Sequence, residues 1–334
     1  MKVLLLAATS LTAAAVNGPC DIYDAAGTPC VAAHSMVRAL YGAYTGPLYR
    51  VKRSSDNATK TIKVLVAGGF ADSMAQDAFC DGTACTVDRI FDQSSKGNHL
   101  DLAPPGGAAP HPDRGVNATR EELTVGGHSV YGAYFEGGMG YRNDKTSGVA
   151  IGDEAESMYM VASGKHYNGA CCFDYGNAEI DSKDHGPGTM EAIYFGNSKV
   201  GGHGGGGDGP WVMADLEDGL WPGNMKLFPS NTPLLADFVT AMVKGRAGGF
   251  TLKGGDAQAG PLKNMYKGER PTNYNPMKKQ GAIVLGIGGD NSDWAVGTFY
   301  EGVMTSGFSS DAVDDAVQAN IVAAGYGHGS VIVV

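Results

Sequence analysis

Two acidic residues lie close together in the segment Trp211–Glu217, where Asp215 and Glu217 alternate with apolar side chains. Successive side chains of a β-strand point to opposite faces, so these two acids are expected to share one face with Trp211 and Met213. The opposite face is apolar and would pack in the core; it carries Val212, Ala214 and Leu216. Neighbouring acids on one face repel each other, which favours a chemical role. An ordinary acidic outer face is the alternative that this strand leaves open.

Asp290 is a third candidate, because it follows the glycine-rich segment Gly281–Gly289. Three alternate residues of that segment would face the core, namely Ile283, Leu285 and Ile287. The other face carries small side chains that leave space for a ligand, and Asp290 continues that face. A glycine-rich turn in which Asp290 is a simple turn residue stays open as the alternative.

Paired carboxylates of this kind can hydrolyse a glycosidic bond. One attacks the anomeric carbon while the other protonates the leaving oxygen; a separation of about 5–5.5 Å gives retention and a wider gap gives inversion. The acid must hold its proton at working pH, which requires burial or a neighbouring carboxylate to raise its pKa. The net charge of −10 argues against nucleic acid and anionic membrane surfaces as partners.

The six cysteines fall into three close pairs: Cys20 with Cys30, Cys80 with Cys85, and the adjacent Cys171 and Cys172. A bond between the adjacent pair would crosslink almost no chain, so its use would be a rigid, polarizable sulfur wall in a ligand pocket. Six cysteines allow many connectivities, so free thiols or distant partners stay open for this pair. No cysteine or histidine spacing fits a zinc site, so the sequence predicts no metal and no cofactor.

The N-terminus predicts secretion. Residues 1–17 contain the apolar run Val3–Ala8 after a lysine, which is typical of a signal peptide and too short to span a membrane. Asn57 and Asn117 stand in sequons, so both are predicted to be glycosylated. Oxidised cysteines fit the same compartment. We expect an extracellular monomer.

Many short apolar runs bounded by glycine predict an all-β fold, an antiparallel sandwich. The runs are Thr61–Ala67, His128–Phe135, Ser157–Ala162, Glu191–Phe195, Trp211–Glu217, Phe238–Val243, Gly281–Gly288 and Gly297–Met304. Apolar spacing also predicts a short helix over Val31–Leu40. A second helix is predicted over Asp311–Ala324, with a serine cap at Ser310 and a stop at Gly325.

Six segments are together similar to the fungal α-L-arabinofuranosidases of glycoside hydrolase family 54. They are Gly18–Tyr23, Phe91–Leu100, His166–Glu179, Met190–Gly196, Gly209–Leu220 and Gly286–Met304. The similarity runs from about residue 18 to residue 325 and includes all six cysteines. It implies a concanavalin-like (jelly-roll) β-sandwich, retaining chemistry and no metal.

The resemblance also implies roles for particular residues. By motif position, Glu217 would be the nucleophile and Asp290 the general acid/base. Asp215 would hydrogen-bond substrate hydroxyls, and the main chain at Gly289 would help to position the sugar. The apolar face of the arabinofuranose ring would contact three sulfur-containing residues, Cys171, Cys172 and Met190.

Three departures from the family pattern affect these expectations. Asp218 stands where the family commonly has asparagine, which places an extra negative charge beside the substrate. The family's sugar-stacking tryptophan has no evident match in Val200–His203, where His203 or Trp294 could substitute. Family members usually continue into an arabinose-binding β-trefoil domain, which we expect to be absent here. Residues 18–326 would then be the catalytic domain and residues 327–334 a short tail.

The sequence therefore predicts a secreted, retaining exo-α-L-arabinofuranosidase that acts on plant cell-wall polysaccharides such as arabinan, arabinoxylan or related hemicellulose. A lectin-like carbohydrate-binding module without hydrolysis is one alternative, since sandwich folds also bind sugars. A β-xylosidase or an endo-galactanase is another. Glu301 could be a further site carboxylate, with a structural partner as its alternative role.

Overall fold

Two antiparallel β-sheets pack face to face in the computed structural model, which describes residues 17–329. This architecture confirms the predicted all-β sandwich. The predicted signal peptide up to residue 16 and residues 330–334 of the predicted tail lie outside the described part of the chain. Within that part, no helix is both long enough and apolar enough to cross a membrane.

The first sheet has nine strands among the described residues, which are β1 Cys30–Ser35, β6 Glu121–Val125, β7 His128–Phe135, β9 Glu156–Tyr167, β16 Phe238–Arg246, β17 Gly249–Asp256, β18 Lys263–Glu269, β20 Gly297–Ser306 and β21 Tyr326–His328. The second sheet has ten, which are β2 Pro47–Arg53, β3 Thr59–Lys63, β4 Cys85–Ile90, β5 Leu100–Leu102, β8 Tyr141–Asn143, β10 Asp174–Ala178, β11 Glu191–Gly196, β13 Trp211–Asp215, β14 Leu220–Trp221 and β19 Ala282–Leu285. The short strands β12 Gly204–Gly205 and β15 Leu227–Phe228 form a separate parallel pair.

The core lies between the two sheets and is built from the inward side chains of both. Tyr175 of β10 packs on Phe299 of β20, with ring centroids 5.3 Å apart, and its hydroxyl lies 3.0 Å from Nδ1 of His34 on β1. Phe135 of β7 meets Tyr141 of β8 edge to face at 5.9 Å. The second sheet therefore has one face against this core and another facing outward.

The predicted helix at the C-terminal end is confirmed with its bounds. Helix α3 spans Asp311–Ala324; Ser310 accepts a hydrogen bond from the backbone N–H of Val313, and Gly325 ends the helix with φ at 72°. A glycine suits this left-handed position because it has no Cβ. Within residues 17–329 the other α-helices are α1 Pro19–Ala25 and α2 Ser73–Cys80, and a 3-10 helix spans Val200–Gly202.

The predicted helix over Val31–Leu40 is wrong. Its first half belongs to β1, which pairs antiparallel with β20 and is buried along its whole length, and residues 36–40 are not helical either. A short apolar run carries apolar residues on both faces, so its spacing is also compatible with a buried strand. The segment forms a strand because β20 offers it backbone hydrogen-bond partners; Ala33, for example, pairs with Val303.

All three cysteine pairs form disulfides, as the local pairing predicts. The Cα atoms are 5.6 Å apart in Cys20–Cys30 and 5.8 Å apart in Cys80–Cys85, within the usual range. The third bond joins the neighbours Cys171 and Cys172.

Candidate active site

The candidate site lies on the outward face of the second sheet, where β13, β11, β10 and β19 are neighbours in that order. Across these strands, Asp215 pairs with Ala192, which pairs with Gly176, which pairs with Val284. Side chains opposite one another in a sheet share a face. Asp215 therefore stands at the end of this row, whose members Ala192 and Val284 are buried in a separate apolar cluster with Met190 and Ile287.

The inward side of β13 is as predicted, since Val212, Ala214 and Leu216 belong to the main core. The strand itself ends at Asp215, two residues short of the predicted Trp211–Glu217, although Leu216 packs in the core and Glu217 lines the cavity with Asp215, as predicted. Glu217 has φ at 61° and Asp218 at 55°, which is the left-handed region. This turn, rather than strand periodicity, directs Glu217 into the site. The Glu217 N–H donates to Asp215 Oδ1 at 3.1 Å.

Asp290 follows a second departure from regular strand structure. Gly286 has φ at +81° directly after β19, and Ile287 then packs in a separate buried cluster that also contains Val284. The expectation that Ile287 shares the core face of Ile283 and Leu285 is therefore wrong, because the chain turns between them. Asp290 Oδ1 accepts a hydrogen bond from the Ser292 N–H at 3.0 Å, which fixes its carboxylate in the turn.

The linked cysteines form one wall of the site. Cys172 Sγ lies 3.4 Å from Asp215 Oδ2, a van der Waals contact because a disulfide sulfur has no proton to donate. The backbone N–H of Trp294 donates to Cys171 O at 3.2 Å, and that of Cys172 donates to Ser292 O at 3.3 Å. These bonds tie the sulfur wall to the segment that carries Asp290.

A cavity of about 400 Å³ joins these parts, a size within the range of small-molecule sites. Most predicted site residues line it: Cys171, Cys172, Asp215, Glu217, Asp218, Gly289 and Asp290. Met190 does not; it is fully buried in the cluster that contains Val284 and Ile287. His203 also lines the cavity, whereas the exposed Trp294 does not.

Two further acids, Asp174 and Glu179, lie beside the site and were not predicted. Asp174 begins β10 and pairs with Tyr194 on the outward face. Glu179 directly follows β10, and both acids are fully buried. An acid at each end of the run Asp174–Glu179 is unusual for a buried strand, and this signal could have identified them.

Burial and mutual repulsion shift the ionisation of this acid cluster. Burial raises the pKa of Asp174, as does the neighbouring Asp215, which favours the protonated form of Asp174. Burial also raises the pKa of Asp215 to about 7, an effect to which the charges of Glu179 and Asp290 contribute. The pKa of Glu217 is raised by burial first and then by Asp215 and Glu179. Carboxyl groups of this cluster can therefore remain protonated near neutral pH.

Residues outside the cavity have other environments. Glu301 is fully buried and pairs with Arg38 at 2.6 Å, which is the structural alternative considered for it. Asn57 and Asn117 are both exposed. Their glycosylation stays a prediction.

A family model described as alpha-L-arabinofuranosidase B, catalytic, matches residues 19–327. The probable alpha-L-arabinofuranosidase B of Aspergillus fumigatus is 55% identical over 318 residues, covering 93% of this chain and 63% of the relative. The alpha-L-arabinofuranosidase of Hypocrea jecorina is 56% identical over 328 residues, covering 96% of this chain and 65% of the relative. A Trichoderma koningii protein named arabinofuranosidase/B-xylosidase gives the same figures. The chain thus spans a little under two thirds of the length of these relatives.

Solved structures give a consistent comparison. A family 54 α-L-arabinofuranosidase soaked with a cyclic sulfate inhibitor superposes with a TM-score of 0.92 at 52% identity, covering 94% of this chain and 66% of that one. An arabinofuranosidase complexed with arabinofuranosyl-α-1,2-xylobiose gives the same values.

Proposed function

This chain belongs to the alpha-L-arabinofuranosidase B catalytic family, glycoside hydrolase family 54, and from that premise we propose that it is itself a retaining exo-α-L-arabinofuranosidase. The observation that carries the proposal is that Glu217 and Asp290, from separate segments of the chain, line one cavity. A carboxylate pair flanking a sugar-sized hollow is the minimum requirement for hydrolysis of a glycosidic bond.

In the first step, the ionised Glu217 attacks the anomeric carbon of a terminal arabinofuranose. The bond from that carbon to the leaving oxygen breaks, and Asp290 gives its proton to that oxygen. The product is an arabinosyl ester of Glu217 with the anomeric configuration inverted.

In the second step, Asp290 takes a proton from water, and the resulting hydroxide oxygen attacks the anomeric carbon. The ester bond breaks, Glu217 regains its carboxylate, and Asp290 is again protonated. The second inversion restores the original configuration, so net retention is expected.

The remaining lining residues would bind the sugar. Asp215 and the main chain at Gly289 would hold its hydroxyl groups, and the Cys171–Cys172 sulfurs would contact its apolar face. Asp218 is exposed at the edge of the cavity, where it would meet the leaving group or an outer hydroxyl. A polar site with one apolar wall suits a small sugar.

Arabinofuranose side chains on plant polysaccharides such as arabinoxylan and arabinan are the proposed substrates. Support comes from a structural neighbour that is complexed with an arabinofuranosyl xylobiose. We further propose that the protein is secreted, because the N-terminal sequence is typical of a signal peptide and three disulfides suit an oxidising compartment.

A β-xylosidase activity is a second candidate, favoured by the name of the Trichoderma koningii relative. A panel of 4-nitrophenyl glycosides and polysaccharides separates the possibilities. We expect release from the α-L-arabinofuranoside and slower or no release from the β-xyloside. Binding to arabinan without release of nitrophenol from any glycoside would instead indicate a carbohydrate-binding module.

A further inference from the structure

We propose that Arg142 is a positioning residue for the reaction: its guanidinium holds the main chain that carries Asp290 and so places this acid/base opposite Glu217. The inference rests on the proposed function. Arg142 is not among the residues that line the cavity, and it would not touch the sugar.

Arg142 lies on the outward face of the second sheet, on β8 beside β19. It pairs with Val284 of β19 and so extends the row of residues that ends at Asp215. Only 1% of its side chain is exposed. A charged group is seldom buried to this extent unless its donors have partners. The partners of the guanidinium therefore indicate the role of the residue.

The guanidinium joins three groups. Its Nε donates to Asp144 Oδ1 at 2.7 Å, its Nη1 donates to the main-chain oxygen of Gly289 at 2.9 Å, and its Nη2 donates to the main-chain oxygen of Glu179. Gly289 follows β19 and Glu179 follows β10, which are neighbouring strands. One planar group thus ties together the segments that leave these two strands. The compact ammonium of a lysine cannot reproduce such a fork of donors.

The hydrogen bond to Gly289 fixes the start of Asp290. The Gly289 oxygen belongs to the peptide group that links these two residues, and a peptide group is planar, so its direction also sets the N–H and the Cα of Asp290. The next carbonyl, that of Asp290, accepts from the backbone N–H of Ala108 at 3.0 Å. The Gly289 oxygen instead accepts from a side chain of another strand. Arg142 therefore adds a long-range restraint to the turn.

The same stretch of main chain passes beside the nucleophile. A Cβ placed on Gly289 would lie 3.1 Å from Glu217 Oε2 and closer still to Glu179 Oε2, so only a glycine fits here. Movement of this peptide group would alter the gap between the carboxyl groups of Glu217 and Asp290, on which double displacement depends. A misplacement of about 1 Å can cost on the order of a hundredfold in rate.

Charge alone is the competing explanation, because Arg142 is a buried cation near several acids. Burial raises the pKa of Glu179 and of Asp113, and the charge of Arg142 opposes both shifts. Arg142→Lys separates the two explanations, since lysine keeps the charge but lacks the planar fork.

The test compares 4-nitrophenyl and methyl α-L-arabinofuranoside, which differ in their leaving group. Nitrophenol needs little help from an acid, whereas methanol must receive a proton as the bond breaks. In Arg142→Met we expect kcat/KM to fall at least about tenfold further on the methyl glycoside than on the nitrophenyl glycoside. Arg142→Lys should show the same imbalance. Equal losses on the two substrates would indicate only a smaller fraction of folded enzyme and would overturn the proposal, as would wild-type rates in Arg142→Lys.

Arg89→Met is the matched control. Arg89 lies in the same row of the sheet, where it pairs with Asp101, so the variant loses one positive charge without changing a partner of the Asp290 turn. Both of its rates should stay near those of the wild type.

Asp144→Ala keeps the test decisive if Arg142→Met does not fold. Asp144 is partly exposed, and its loss leaves the guanidinium in place without the partner of Nε. We expect the same imbalance at a smaller size; its absence from both Asp144→Ala and Arg142→Lys would overturn the proposal. A wild type inactive on both glycosides would refute the proposed function and this inference with it, whereas an active wild type and equal losses in the variants would refute this inference alone.

Discussion

Glu217 reaches the cavity in a left-handed backbone conformation, which is unfavourable for any residue other than glycine. It and Asp218 occupy the left-handed region in succession, at a cost on the order of 1–3 kcal/mol each. The turn persists because the Tyr274 hydroxyl donates to Glu217 O at 2.8 Å and because Leu216 before the turn and Leu220 after it are buried. Such strain is commonly found where a side chain must be held in place for chemistry.

Replacing Glu217 by glutamine should abolish hydrolysis of 4-nitrophenyl α-L-arabinofuranoside. The amide has the same shape but cannot attack the anomeric carbon, so kcat should fall by on the order of a thousandfold or more. The rate of nitrophenol release measures the effect. Glu122→Gln, an exposed acid on the first sheet, is the matched control and should leave the rate unchanged. Near-normal turnover by the Glu217 variant would remove it from the nucleophile role.

Replacing Asp290 by alanine should slow both steps, but not equally for all substrates. A nitrophenol leaving group needs little protonation, so the arabinosyl-enzyme still forms from this substrate. Its hydrolysis lacks a general base, so the rate of that second step should fall by about 10²–10⁴-fold. Azide needs no base and should restore turnover by forming the arabinofuranosyl azide. Product chromatography detects this compound. Absence of both rescue and the azide product would argue against Asp290 as the acid/base.

At the scale of the elements, the turn that carries Asp290 is packed against another loop. Ala108 N–H donates to Asp290 O at 3.0 Å, and Asn291 donates to Asp113 Oδ1 at 3.4 Å. Burial raises the pKa of Asp113 to about 7, and the neighbouring Asp293 adds to the shift. Protonated Asp113 therefore stabilises the arrangement, and its ionisation should weaken it.

This predicts a pH-dependent stability. Between about pH 4, the unfolded pKa of an aspartate, and about pH 7, the folded protein keeps a proton on Asp113 that the unfolded chain has lost. The free energy of unfolding should therefore fall as pH rises, by at most about 1.4 kcal/mol per pH unit. In Asp113→Asn this contribution disappears, so urea unfolding across the window should show a flatter curve. Parallel curves for the two proteins would contradict the assignment.

Strand periodicity predicted the two faces of β13 and the core face of β19 up to Leu285, because a period of two is a local property. It failed at Ile287, because the left-handed Gly286 interrupts the alternation there. The helix prediction over Val31–Leu40 failed because pairing with β20 is a long-range contact. Glu179 was missed although the acids at both ends of the run Asp174–Glu179 are a local signal; its contacts with Thr189 and Gly289 are not local and could not be predicted.

At the scale of the whole molecule, a buried ion pair joins distant parts of the first sheet. Glu301 of β20 accepts from Arg38 Nε at 2.6 Å, from the Tyr159 hydroxyl of β9 at 3.1 Å and from the Tyr326 hydroxyl of β21 at 2.8 Å. All of these bonds converge on one carboxylate that is fully buried. This network holds the sandwich together away from the cavity.

Replacing Glu301 by glutamine should therefore destabilise the fold. It leaves the Arg38 guanidinium buried without a counter-charge, which costs about 3–5 kcal/mol. Urea unfolding should show the loss as a lower midpoint. The matched control is Asp237→Asn, which removes an exposed ion pair with Lys165 and should change stability little. Equal effects of the two substitutions would contradict a structural role for Glu301.

The site and its scaffold together predict where a covalent intermediate forms. The most direct measurement is peptide mass spectrometry of Asp290→Ala, quenched in acid during reaction with 4-nitrophenyl α-L-arabinofuranoside. We expect one arabinosyl group, on the peptide that contains Glu217. Turnover without any adduct, or an adduct on a different acid such as Glu179 or Asp215, would contradict the proposed double displacement.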